Sequence, residues 1–154
     1  MRKGDLVVMK TPAKDDTVRQ LAQLLAAEAA TVSIYRDASR SVSDGDLARR
    51  LTAIADRHAD QAAELRRQIA RLSGGSGPSV PAAESWSKLS EVTGSFLTGP
   101  AGWKSLRERE RLGLKSYREA LDRVDRPARE VFLGSLIPAQ FRNVCAWNER
   151  VPGS

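Results

Sequence analysis

A carboxylate interrupts an otherwise apolar helical stripe between Gly102 and Val124. Apolar or small residues recur there every three or four positions, as on one face of an α-helix, at Leu106, Gly113, Tyr117, Leu121 and Val124. Glu110 falls on the same stripe and is therefore predicted to face the core. Because an unpaired buried charge is costly, such a side chain must pair with a cation, accept hydrogen bonds or bind a metal. The residues that the other helices place at its height therefore decide its role.

Composition favours an all-α domain. The chain has 154 residues, enough to bury a core in one domain without disulfides or metal. Ala and Leu dominate the apolar residues, aromatic residues make up 5%, and Gly and Pro concentrate outside the periodic segments. Cys145 is the chain's one cysteine, so neither an intrachain disulfide nor a structural zinc site is expected.

Apolar periodicity predicts four long helices, over residues 17–41, 46–72, 103–124 and 128–151. The expected N-caps are Asp16 or Thr17, Asp44 or Asp46, and Asp125. Residues 1–16 lack a sustained period and are predicted to form a flexible arm, which leaves 17–151 as a single domain. Pro138 lies inside the fourth helix and is expected to kink or break it, because it has no amide hydrogen for the carbonyl of Gly134.

The connection between the second and third helices is too long for a tight turn. It covers residues 73–102, and its middle, over 82–96, can form a short helix. Such a connection is typical of a crossover that carries the chain along a bundle. We therefore expect two helical hairpins joined by a long crossover, with the two hairpin turns at opposite ends of the bundle.

Three further polar residues lie on the predicted apolar stripes: Glu28, His58 and Gln140. Glu28 and His58 each lie about fifteen residues from the first hairpin turn, and Glu110 and Gln140 lie about as far from the second. At about 1.5 Å per residue all four are roughly 22 Å from their turns. They should therefore meet near the middle of the bundle.

In this arrangement the chain resembles the ferritin-like superfamily of four-helix bundles, and most nearly an uncharacterised bacterial branch of small bundle proteins. The resemblance covers about residues 17–151 and includes Trp86 and the pattern Arg-Glu-x-x-x-x-Lys-x-Tyr-x-x-Ala-Leu at 109–121. It implies that Glu28, His58 and Glu110 match the metal ligands of the first three helices. Gln140 falls where ferritins often place a glutamine.

The chain also departs from that pattern. Ala55 stands where a metal-bridging glutamate should precede His58 by three residues, and the fourth helix has no Glu-x-x-His. A dinuclear iron centre with ferroxidase activity is therefore not expected. The remaining set, Glu28, His58, Glu110 and Gln140, could hold a single divalent ion, iron or manganese, completed by water. We favour a hydrogen-bonded cluster without metal, in which a protonated histidine or an arginine neutralises the carboxylates.

The favoured function is that of a non-catalytic structural or stress-related protein with a degenerate metal centre. No catalytic residue, organic cofactor or small-molecule substrate is predicted, and the sequence favours a non-enzyme. The first alternative is a mononuclear iron- or manganese-binding protein that uses Glu28, His58 and Glu110. In either case we expect a homodimer that associates through a helix face. We also expect a cytoplasmic location, because no apolar run is long enough to span a membrane or to form a signal peptide.

The second alternative is a basic protein that coats nucleic acid without sequence preference. The formal net charge is +6 and the pI is near 10.0. Local clusters occur at residues 49–50 and 66–71, but most other basic residues alternate with acids, as they do over 107–111. This distribution makes nucleic acid the less favoured partner.

Overall fold

The computed structural model describes residues 12–74 and 100–148, and this part of the chain is helical, without a strand. Its helices are α1 (Lys14–Ser41), α2 (Gly45–Ser73), α3 (Pro100–Ala120), α4 (Arg126–Val131) and α5 (Ile137–Asn148). A 3-10 turn, Leu121–Arg123, follows α3, and a π-helical turn, Phe132–Leu136, joins α4 to α5. The last two helices thus form the fourth rod of the bundle. The all-α prediction is confirmed.

Capping residues set both ends of α2 and the start of α4. Asp44 caps α2 by accepting the backbone N–H groups of Asp46 and Leu47, and α2 ends at Gly74, whose φ of 67° is in the left-handed region that favours glycine. Asp125 caps α4 in the same way by accepting the N–H of Ala128, with a proline in the first turn. The structure thus confirms Asp44 and Asp125 as predicted N-caps, and both act within their own helical turn.

Several predicted boundaries are wrong. The first helix begins at Lys14 rather than 17, after Ala13, so Asp16 and Thr17 lie inside its first turn instead of capping it. The third α-helix begins at residue 100 and ends at 120 instead of running over 103–124, because its last turn tightens to 3-10 geometry. The fourth rod begins at residue 126 rather than 128. Most of the predicted arm, the short helix over 82–96, Trp86 and the predicted end at 151 lie outside the described residues.

Pro138 does not break the fourth rod. The chain stays helical from residue 126 to 148, and the π-helical turn lies immediately before the proline, with the N–H of Ile137 bonded to the carbonyl of Phe132. A proline inside an α-helix removes one hydrogen bond and crowds the carbonyl four residues earlier. A widened turn at this place accommodates both effects.

The described core consists of two apolar clusters. One joins α1 near Leu21 to the second hairpin turn, and its largest buried members include Leu65, Tyr117 and Phe132. The other joins the end of α1 to the first hairpin turn, and it contains Leu51, Trp103 and Trp147. Trp103 and Trp147 are both buried, whereas Cys145 is half-buried.

Each helix has two neighbours. α1 packs along α2 and faces α3, while α5 packs along α3 and faces α2. Hydrogen bonds from Tyr35 to Glu110 and from Tyr117 to Glu28 show that α1 and α3 run antiparallel. The start of α3 therefore lies beside the end of α1, and the layer between the two apolar clusters is at mid-height.

Candidate functional site

The four polar residues predicted to meet at mid-height do so. Glu28, His58, Glu110 and Gln140 are each at most 5% exposed, and each comes from a different rod of the bundle. Together with Tyr35, Gln61, Tyr117 and Asn143 they form a continuous hydrogen-bonded layer between the two apolar clusters. We call these eight residues the polar layer.

His58 lies between the two buried carboxylates. Its Nδ1 is 2.6 Å from Glu28 Oε1, and its Nε2 is 2.9 Å from Glu110 Oε2 and 3.0 Å from Glu110 Oε1. The ring of Tyr35 stacks on the imidazole, with ring centroids 5.7 Å apart and planes inclined by 15°. Both ring nitrogens face acceptors, so the fully satisfied form of His58 is the imidazolium, which donates from each nitrogen.

Two further side chains donate to each carboxylate. Glu28 Oε2 accepts from the hydroxyl of Tyr117 and, at 2.5 Å, from Gln61 Nε2. Glu110 accepts from the hydroxyl of Tyr35 at 2.5 Å and from Gln140 Nε2 at 2.8 Å. The tyrosines, which lie on the predicted stripes, thus donate to the glutamates across the α1–α3 gap. Such charge-assisted hydrogen bonds stabilise the ionised carboxylates.

Sequence reasoning missed the roles of Gln61, Asn143 and Trp147. Gln61 also donates to Gln140 Oε1 at 3.1 Å, Asn143 donates to Gln61 Oε1 at 3.0 Å, and Trp147 Nε1 donates to the hydroxyl of Tyr35 at 2.7 Å.

One signal in the sequence could have revealed the first two. The same spacing along the chain separates Glu28 from Glu110, Tyr35 from Tyr117, His58 from Gln140, and Gln61 from Asn143. We call this constant spacing the hairpin offset, because adding it to a residue number in the first helical hairpin gives the equivalent position in the second. Each hairpin therefore contributes four residues to the polar layer, at equivalent positions.

Burial, neighbouring charges and hydrogen bonds shift the pKa values of four residues in the polar layer. Burial alone would lower the pKa of His58, but the charges of Glu110 and Glu28 and the hydrogen bonds to them outweigh burial and raise that pKa to about 10. Burial opposes ionisation of Glu110, yet the charge of His58 and the bonds from His58, Tyr35 and Gln140 lower the pKa of Glu110 overall. Burial, and then the charge of the adjacent glutamate, raise the pKa values of Tyr35 and Tyr117. These shifts favour an imidazolium at His58 beside an ionised Glu110.

The polar layer does not fit a metal ion as it is arranged. Among the described residues, no group of three or more His, Cys, Asp or Glu side chains could hold a metal. The imidazole separates the two carboxylates, so an ion at one ring nitrogen would lie on the far side of the ring from the other glutamate. A dinuclear centre needs a bridging carboxylate in each hairpin. Ala55 occupies that position in the first hairpin, and the hairpin offset places Ile137 at the equivalent position in the second. Neither side chain can bind a cation.

Comparison with known proteins does not assign the chain. It matches no family model, no curated protein and no solved structure. Its function must therefore be inferred from the geometry of the polar layer and its surroundings.

Proposed function

We propose that this protein is a non-catalytic member of the ferritin-like bundles in which a proton-bearing polar layer has replaced the metal centre, and that its role is structural or stress-related. The observation that carries the proposal is the position of His58. Both of its nitrogens, the atoms with which a histidine binds metal, are engaged by carboxylates. The proton on each nitrogen takes the place that a cation would take.

Helix directions support the ferritin-like topology. α1 and α3 are antiparallel, so the end of α2 and the start of α3 belong to opposite ends of the bundle, beside different apolar clusters. A ferritin-like crossover joins opposite ends of a bundle, so these helix directions support the proposed topology.

Metal retention tests the proposal. The purified full-length chain is incubated anaerobically with ferrous iron and, in separate samples, with manganese and zinc, and is then desalted and assayed for metal. We expect far less than one equivalent to be retained and no change in the thermal midpoint. About one equivalent retained by the natural sequence, and lost in Glu110→Ala, would instead support the mononuclear metal-binding alternative with Glu28, His58 and Glu110 as ligands.

The nucleic-acid alternative has weaker support. Several arginines of the two basic clusters are paired with acids: Arg49 with Asp46, Arg67 with Glu64 and, at 3.0 Å, Arg71 with Asp125. A polyanion would have to compete with these pairs. Binding to a DNA duplex that is strong at low salt and collapses towards physiological salt would revive this alternative, and its absence at low salt would end it.

The expected homodimer and cytoplasmic location stay predictions. No helix of the described residues is long and apolar enough to cross a bilayer. Leu133 and Phe141, each 52% exposed, lie two helical turns apart on the fourth rod. Sedimentation of the full chain over a range of concentrations measures the oligomeric state directly.

A further inference from the structure

A cavity of about 700 Å³ lies between α1 and α3 and reaches down to the polar layer. Glu28, His58, Glu110 and Gln140 all contribute to its lining, and their burial places them at its floor. The volume lies within the range of about 300–1,000 Å³ that is typical of small-molecule sites. An apolar cleft with convergent polar groups at its base is the usual form of a ligand site.

The cavity exists because long side chains separate the helices and short ones leave the gap open. Tyr35 and Tyr117 each reach across to a glutamate of the opposite helix, which sets the spacing between α1 and α3. Outside these bridges the walls carry small residues, among them Ala27, Gly113 and Ser116. A bundle selected for packing alone would fill this space, since unfilled contacts cost stability.

Charge varies along the cavity. The cations Lys104 and Arg109 line its end near Thr31, where Arg109 Nε donates to Thr31 Oγ1 at 3.1 Å. Glu28 lies one helical turn before Thr31, and from there towards Gln20 no lysine or arginine of the described residues lines the cavity. Glu108 also lines the end that carries the two cations, and Arg109 interacts electrostatically with Glu110 and Glu28. Glu28 is therefore the charged lining residue next to the part of the cavity that extends towards Gln20.

We propose that this cavity binds a small amphipathic amine, in which an ammonium group is attached to an apolar body. The ammonium donates to the carboxylate of Glu28, which lines the cavity and whose Oε1 accepts from His58 alone among the described groups, although a carboxylate oxygen can accept two hydrogen bonds. The apolar body lies along Leu24, Ala27 and Leu112, and the 53% exposure of Leu112 at the wall falls when the ligand binds. The proposal does not depend on the ferritin-like assignment.

Three probes of one chain length test it: octylammonium, octanoate and octan-1-ol, each titrated into the full-length protein at neutral pH and constant ionic strength and followed by NMR. We expect saturable binding of octylammonium, with octanol and octanoate about tenfold weaker or worse, because they lack the charge that complements Glu28. Binding should shift the signals of residues in α1 and α3 that line the cavity.

Variants locate the site. Ala27→Leu fills the cavity and should abolish binding, whereas Ala29→Leu, an exposed position on the same helix outside the cavity, should leave binding unchanged. Glu28→Gln should weaken octylammonium about tenfold and octanol little. No saturable binding of octylammonium, equal or tighter binding of octanoate, or unchanged binding in Ala27→Leu would each overturn the proposal.

Discussion

At the scale of the residue, His58 is one cation shared between two buried carboxylates. A buried ion pair of this kind adds little net stability compared with an apolar replacement of the whole set, because desolvation offsets the attraction. Removing one member is different, since the remaining charges then lack a partner. The polar layer therefore makes the bundle sensitive to changes at single residues within it.

Replacing His58 by leucine should destabilise the fold by about 3–5 kcal/mol, because Glu28 and Glu110 would remain buried without the cation that lies between them. Urea unfolding of His58→Leu measures the loss. Adding Glu28→Gln and Glu110→Gln to the same variant removes the unpaired charges and should recover much of the stability. A single variant as stable as the natural protein would show that the two carboxylates are not held charged by His58.

Stability should fall as the pH rises above neutrality. Folding raises the pKa of His58 from its ordinary value of 6.5 to about 10, so the folded protein binds a proton that the unfolded chain releases. The contribution of His58 is therefore complete below about pH 6.5 and is lost as the pH rises through about 10. Between these values the free energy of unfolding should decline by up to about 1 kcal/mol per pH unit. Urea titrations from about pH 6 to about pH 9.5 test this.

The control for that pH series is His58→Gln, which keeps an amide donor but has no charge to lose in this range. Its stability should be nearly independent of pH over the same interval. A natural protein with an equally flat profile would mean that His58 is neutral in the fold. On the acid side the sign reverses: the lowered pKa of Glu110 adds stability above the ordinary carboxyl value of 4.5, and this is lost as the pH falls through the folded value.

At the scale of the element, Gly113 allows the fourth rod to lie close to α3, because it has no side chain at the point of contact. A Cβ placed on Gly113 would lie 2.9 Å from Gln140 Nε2, a side chain that is bonded to Glu110 and fully buried. We expect Gly113→Ala to destabilise by about 1–2 kcal/mol, because Gln140 must move and give up hydrogen bonds. Gly134→Ala is the matched control, since nothing lies within 4 Å of its Cβ, and it should be neutral or stabilising. Equal effects in thermal unfolding would contradict this.

Elements defined by local signals could be predicted from the sequence, and those that depend on packing could not. Asp44 and Asp125 begin helices through their own side-chain hydrogen bonds, and both were among the predicted N-caps. The early start of α1 has no capping side chain to mark it. The π-helical turn before Pro138 was predicted only as a kink or a break, because its form depends on keeping Phe132 and Gln140 on the buried face.

The candidate site was predictable to a similar extent. Counting residues from the two turns brought Glu28, His58, Glu110 and Gln140 to one height, and the structure places them in mutual contact. Gln61 was missed because whether a polar residue at the edge of a stripe points inward depends on the rotation of the helix in the bundle. Asn143 was missed as well. The hairpin offset would have indicated both, since it relates whole hairpins rather than single stripes.

At the scale of the whole molecule, the two hairpins present equivalent positions to one another, and the proposed ferritin-like ancestry would make those positions metal ligands. The hairpin offset pairs Ala55 with Ile137 and His58 with Gln140. A variant that combines Ala55→Glu, Ile137→Glu and Gln140→His therefore restores the missing carboxylates and the second histidine at corresponding places. Without metal it should be less stable than the natural protein, because Ala55 is fully buried and a carboxylate there would be unpaired.

Metal should reverse that loss if the bundle has retained the ferritin-like scaffold. With manganese or zinc at about 100 times the dissociation constant, the combined variant should gain about 2.7 kcal/mol of stability, and the natural sequence should gain none. Urea unfolding with metal and with a chelator measures both, and Ala29→Glu, at an exposed site outside the layer, controls for added surface charge. A combined variant that folds but gains no stability from metal would mean that these positions do not converge as a ferritin-like centre requires. The polar layer would then be an original feature of this bundle rather than the replacement of a metal site.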